Sequence, residues 1–294
     1  DRFRGRLREL DPPPERQMLN LAMAAMPRRN PAYWHLSGLW TGWLWGKEAL
    51  SPLRHSLLRQ RYDWTWHTYA LTKVLSHLPK LLQAEKPILL HISELDPLFM
   101  LSGLLGAQEA GLQMQTYAMD GEESTLQTVW SLPSTTPKPI GQSLQLCAQQ
   151  AVQDLLTQKG EPATHLMLLT QIALQAHSKR LLAGQPQAQP NHTLNELQSE
   201  LERIFLDTSL LMRYNPGATV ESGLYWLADP AEQVAPLAEK LETGLLALLA
   251  ENPHPKHQEV LQKAYQDFPG LLTPASELIE TVLGAYAEKI DGEN

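Results

Sequence analysis

Arginines and aromatic residues interleave between positions 54 and 67 in a way that suits contact with a nucleic acid. Arg54, Arg59, Arg61, Tyr62, Trp64, Trp66 and His67 set cations beside rings. Guanidinium groups neutralise phosphates, and ring faces accept stacked bases. Arg28 and Arg29 add two cations further up the chain. The candidate nucleic-acid-binding set is therefore Arg28, Arg29, Arg54, Arg59, Arg61, Trp64 and His67. Trp64 and Trp66 cannot share one helix face, so at least one is expected to stay available to a partner. A structural reading stands beside this one, in which Trp66 fills a core and the arginines solvate a helix. The residues alone leave both open.

The charge distribution favours the same third of the chain. The 294 residues carry a net charge of −8. Residues 1–86 hold 14 Lys and Arg against 7 Asp and Glu, a balance of +7. The remainder holds 10 against 25, a balance of −15, and the two sum to −8. A polyanion would thus meet the N-terminal third, and the acidic remainder would repel it.

Other chemistries find little support. His91, Glu94 and Asp96 are neighbours on an extended segment, whose side chains alternate in direction, so they read as a strand-to-helix turn capped by Asp96. Gly103 to Gly106 (GLLG) lies inside a helical pattern and makes a poor phosphate cradle. No H-E-x-x-H, G-x-S-x-G or G-x-G-x-x-G motif occurs. Asp11-Pro12-Pro13-Pro14 shares three residues with the Asp-Pro-Pro-aromatic loop of amino-group DNA methyltransferases. Pro14 stands where that loop needs a stacking ring, and the segment reads as a proline-rich arm. Cys147 is the one cysteine, which excludes an intrachain disulfide and a multi-cysteine zinc site and favours a reducing compartment. No catalytic residue, metal or cofactor is expected, although an enzyme with an unfamiliar site stays open.

The elements that would position these residues follow from periodicity. Residues 18–26 read as a short apolar helix stopped by Pro27. Residues 32–84 hold six of the eight tryptophans and read as three helices. Leu36, Leu39, Trp40, Trp43 and Leu44 recur at helical spacing in the first, Ser51-Pro52 opens the second, and Asp63 caps a third over 64–82. A β-α-β-β unit follows: a buried strand at 87–92, a helix from Pro97 to Ala110 stopped by Gly111, and alternating strands at 112–119 and 125–132. Its first two strands are expected to be parallel, with a right-handed crossover. Beyond a proline-rich linker, helices at 144–159, 163–182 and 192–204 precede a hairpin at 209–214 and 220–227, the order of a winged helix. Helices at 231–251, 257–268 and 275–290 close the chain. The expected fold is α+β and predominantly helical: a Trp-rich helical region, a small β-α-β-β unit, a winged helix and a C-terminal helical bundle. The domains expected are 1–133, 142–229 and 230–294.

Several stretches resemble bacterial DNA methylase-like proteins: Asn30 to Gly46, Gln60 to His67, Lys159 to Leu169, and Glu221 to Glu242. The resemblance implies an association with DNA modification or defence and a catalytic portion elsewhere. The reading that results is a non-catalytic DNA-associated accessory or recognition module, with DNA and a methylase or defence subunit as partners. The alternative is a protein-interaction scaffold that uses the acidic winged helix and touches no nucleic acid, either with a protein partner or as a homo-oligomer. The expected winged-helix reader at 193–204 carries Glu196, Glu200 and Glu202 against Arg203, which suits protein better than phosphate. No apolar run reaches the ~18–20 residues that span a bilayer, and no signal peptide opens the chain, so a cytoplasmic location without membrane contact is expected.

Overall fold

Residues 18–26, expected as a helix, contain a strand instead. In the computed structural model Ala22–Ala25 is β1, parallel to β2 (Ile88–Ile92), with Ala22 opposite Ile88 and Ala25 opposite His91. A run this short holds no complete set of helical hydrogen bonds, and a neighbouring strand supplies the partners its backbone needs. The structure describes residues 19–51, 54, 57, 62–83, 85–120, 125–133, 141–182, 190–230 and 234–287.

Pro31–Trp45 forms α1, with the Asn30 side chain accepting hydrogen bonds from the Ala32 and Tyr33 amides. Trp34 and Gly38 are its buried residues. Of the apolar residues that recur at helical spacing, Leu36, Leu39, Trp40 and Trp43 are exposed, Trp43 to 76%, and Leu44 is half-buried. Gly38 explains the choice of face. A Cβ there would lie 2.7 Å from Leu57 Cδ1 and 3.2 Å from Leu50 Cδ1, so the glycine lets the chain that follows approach the helix closely.

Trp64–Leu75 forms α2, capped by Asp63, whose carboxylate accepts from the Trp66 amide at 2.8 Å. It ends earlier than expected and continues as a 3-10 turn over Leu78–Leu81, where Pro79 cannot donate to a continued helix. Pro97–Glu109 forms α3, capped as anticipated by Asp96, and Gly111 follows at φ +82°. The two glycines of GLLG are packing residues. A Cβ on Gly103 would sit 2.6 Å from Met26 sulfur, and one on Gly106 would sit 3.1 Å from Leu71 Cβ of α2.

Gln113–Asp120 (β3) and Thr125–Ser131 (β4) complete a four-stranded sheet in the order β1-β2-β4-β3. The first two strands of the expected β-α-β-β unit are therefore not neighbours, because β4 inserts between them. The alternation expected in β4 holds, with Leu126, Thr128 and Trp130 fully buried.

Contact density divides the chain into two units. The first takes the described residues up to Thr116, with those of 127–142 and 176–200. The second takes 117–126, 143–175 and the described residues from Leu201 onward. The helical segments of the later chain are α4 (Leu144–Lys159), α5 (His165–Ser178), α6 (Pro190–Glu202), and a 3-10 turn at Arg203–Leu206. A two-residue strand, β5 (Ala163–Thr164), precedes α5 where a helix start was expected. β5, β6 (Leu211–Tyr214) and β7 (Leu224–Leu227) form an antiparallel sheet in the order β5-β7-β6. α7 (Leu237–Glu251), α8 (His257–Asp267) and α9 (Ser276–Tyr286) pack around Leu241, Leu245, Val260, Ala264 and Ile279. The protein is thus α+β, with nine α-helices and two small sheets among the described residues.

Gly160 ends α4 at φ +70°, as its place in the sequence indicates, and a Cβ there would overlap the Ala235 carbonyl. Gly160→Ala therefore combines left-handed strain with a clash against backbone. It is expected to lower stability by about 2–3 kcal/mol in urea denaturation. A loss below about 0.5 kcal/mol, the ordinary effect of a surface change, would refute that account.

Candidate nucleic-acid interface

Ligands of open parallel sheets gather beyond the carboxyl ends of the strands, because loops there diverge while strand ends hold them in place. In the first unit that edge of the β1–β2 pair carries Pro27, Arg28 and Arg29 after β1, and Glu94 and Asp96 after β2. The Met26 amide still donates to His91 O at 2.8 Å, so the sheet pairing runs up to Pro27.

Two buried side chains then clamp the backbone. His67 of α2 is fully buried, with Nε2 2.8 Å from Pro27 O and Nδ1 2.9 Å from Ser102 Oγ of α3. A carbonyl only accepts, so Nε2 carries the proton, and the unprotonated Nδ1 of the neutral ring shares the one Ser102 hydroxyl hydrogen with Phe99 O, 2.8 Å from that hydroxyl. Burial keeps the ring neutral by lowering its pKa to about 4, against the raising effect of the Pro27 bond, and the charge of Arg29 pushes the same way as burial. Trp34 of α1 supplies the second clamp, its indole Nε1 donating to Arg28 O at 3.0 Å. Trp34 and Trp66 meet edge to face at 5.5 Å, behind this loop.

The side chains leaving the clamped backbone are cationic and exposed. Arg28 reaches Glu94 at 3.3 Å, with both side chains roughly half in solvent, an arrangement worth less than about 1 kcal/mol. The Arg29 guanidinium lies 4.4 Å from the centre of the Trp64 ring. A phosphate can replace Glu94 at little cost, and the Arg29–Trp64 stack presents a cation already held in place.

The residues singled out in the sequence thus separate. Arg28, Arg29 and Trp64 come together at one edge. Arg54 is exposed. Arg59 and Arg61 lie outside the described residues. His67 is corrected: with no exposed surface it touches no ligand, and it holds the loop from which Arg28 and Arg29 project. Trp66, likewise fully buried, belongs to the core, and Trp64 is the partly exposed member of the pair. The clamp made by Trp34 was not visible in the sequence, since indole donation to a carbonyl six residues earlier leaves no pattern.

His91, Glu94 and Asp96 gather no metal: among the described residues no three His, Cys, Asp or Glu side chains form a group that could hold one. Asp96 Oδ1 accepts from the Phe99 amide at 2.9 Å, which makes it a helix cap. No described helix is long and apolar enough to cross a membrane. In comparisons with family models, curated proteins and solved structures the chain gives no match.

Proposed function

We propose that this chain is a non-catalytic DNA-associated module linked to DNA modification or defence. It meets the phosphate backbone through Arg28 and Arg29, with Arg54, Arg59 and Arg61 adding charge in the same basic third. The observation that carries this reading is the rigid edge after β1. There a backbone fixed by His67 and Trp34 presents two exposed guanidinium groups, one of them stacked on Trp64. Preorganised cations lose little side-chain freedom on meeting phosphate. One further feature supports it: the resemblance to DNA methylase-like proteins covers Asn30 to Gly46, the segment that follows this loop.

The later chain has a different task in this reading. The winged-helix reading is supported by its element order α4-β5-α5-α6-β6-β7 and its sheet order β5-β7-β6. Its third helix is acidic. Arg213, the cation of its hairpin, donates instead to the Ser222 and Thr219 carbonyls and stacks 5.8 Å from the Tyr225 ring. A hairpin whose guanidinium is spent on its own turn offers phosphate little charge, which suits docking on protein in this reading.

A second reading, contact with protein alone, is favoured by α1. Leu36, Leu39, Trp40 and Trp43 follow the i, i+3, i+4, i+7 spacing of a helix that packs against another surface, yet all four face solvent. Salt dependence separates the two readings. Duplex binding followed by anisotropy should weaken with salt by about 0.9 in log–log slope per phosphate contacted. Arg28→Ala with Arg29→Ala should reduce that slope by about 1.8. Parent protein that binds no duplex, or a double variant with the parent slope, would leave the protein-contact reading in possession.

A further inference from the structure

The last turn of α5 ends in a way its sequence does not favour. The Leu181 amide donates to Ala176 O at 2.8 Å and the Arg180 amide to His177 O at 2.9 Å, a helix stop that ordinarily takes glycine at its left-handed position. Arg180 occupies that position, at φ 57°. An L-residue there is strained by roughly 1 kcal/mol, so its side chain, rather than its backbone, accounts for its presence.

That residue lines a cavity of about 50 Å³ in the first unit, with Gln108 of α3, His177 of α5, Leu112 just before β3 and Met114 within it. Two polar groups on its wall are buried without a partner among the described residues. His177, 4% exposed, has neither ring nitrogen hydrogen-bonded, and Gln108, 6% exposed, leaves Oε1 unmatched. Trp130 closes one side of His177, edge to face at 5.0 Å. Buried polar atoms left unmatched are costly and few in folded proteins, and two beside one cavity mark a place built for something polar. The imidazole is neutral, since burial and then the Arg180 charge lower its pKa to about 4.

The wall therefore offers a cation at Arg180, one N–H and one bare nitrogen at His177, and a bare carbonyl oxygen at Gln108. An anion with acceptor atoms alone would satisfy Arg180 and the N–H and still leave the Gln108 oxygen facing negative charge. An anion that retains a hydroxyl satisfies both kinds of group. A volume of about 50 Å³ corresponds to roughly three or four waters, and so to a ligand of about four or five non-hydrogen atoms. We propose that this cavity binds a small protonated oxyanion, of the size and chemistry of bicarbonate or hydrogen phosphate. It stands apart from the DNA reading and does not depend on it.

Calorimetric titration of the full chain with sodium phosphate and, separately, with sodium bicarbonate tests this and identifies which of the two is taken. Sulfate matches phosphate in size and lacks the proton at neutral pH, so it should bind at least about tenfold more weakly than the preferred ion. Arg180→Gly removes the guanidinium and relieves the strained backbone. It should weaken binding at least about tenfold while leaving the thermal midpoint equal to the parent's or higher. Gln108→Leu removes the acceptor that needs the proton and should lose the preference over sulfate. Heat from neither phosphate nor bicarbonate, as when the cavity holds only water, would overturn the proposal. So would equal affinity for sulfate, or parent-like binding by Arg180→Gly.

Discussion

Replacing Trp66 by alanine is expected to cost about 3–5 kcal/mol, a large share of a domain's total stability. The indole has no exposed surface and meets Trp34 at 5.5 Å and Tyr62 at 4.8 Å, both edge to face. Its removal leaves a cavity that α2 cannot close, because α2 lies tight against α3 at Gly106. Trp43→Ala removes a side chain of the same type that is 76% exposed, and should change stability by no more than about 0.5 kcal/mol. Urea midpoints of the two variants would check the contrast. Comparable losses would mean that the packing around Trp34 and Trp66 is not the core of this unit. Loss of duplex binding by Trp66→Ala would be read as loss of the clamped loop, since Trp66 faces no ligand.

Acid should destabilise the protein well above the pH at which its carboxylates titrate. His67 and His177 have pKa values near 4 in the folded chain against 6.5 when free, in both cases mainly through burial. Below pH 6.5 the unfolded chain therefore takes up protons that the folded chain refuses until about pH 4. Stability is complete above 6.5 and falls as the pH descends through that window, by on the order of 3 kcal/mol for each histidine at the lower end. His165, also lowered by burial, contributes in the same direction. Urea midpoints between pH 7.5 and pH 4, in buffers free of phosphate and bicarbonate, would follow the decline. A His67→Gln and His177→Phe double variant should show a much shallower one. A flat profile for the parent, or an equal slope for the variant, would contradict the neutral, buried state of both rings.

Both expectations concern residues behind the candidate interface. His67 and Trp66 are successive residues of α2, and both point inward. One holds Pro27 and the other supports Trp34, which holds Arg28. The exposed cations thus depend on buried groups that touch no phosphate. The exposed stripe of α1 has the opposite character, contributing little to the unit's own core and leaving an apolar surface in solvent.

Local chemistry was enough to read much of this protein from its residues. Asp63 and Asp96 cap helices because a short carboxylate reaches the free amides of a first turn. Gly160 stops one because it alone adopts a left-handed backbone without strain. Leu126, Thr128 and Trp130 alternate because a strand shows one face to the core. Each outcome depends on neighbours within a few residues, so the sequence contains it. The strand at Ala22–Ala25, the insertion of β4 beside β2, the outward stripe of α1, the Arg28–Glu94 pair and the cavity under Arg180 were decided elsewhere. Each depends on which distant segment supplies a hydrogen bond or occupies a volume. An apolar run has no preference between helix and strand until a parallel neighbour pairs with it, and six tryptophans of one type divide into core and surface only when close packing leaves room for some of them.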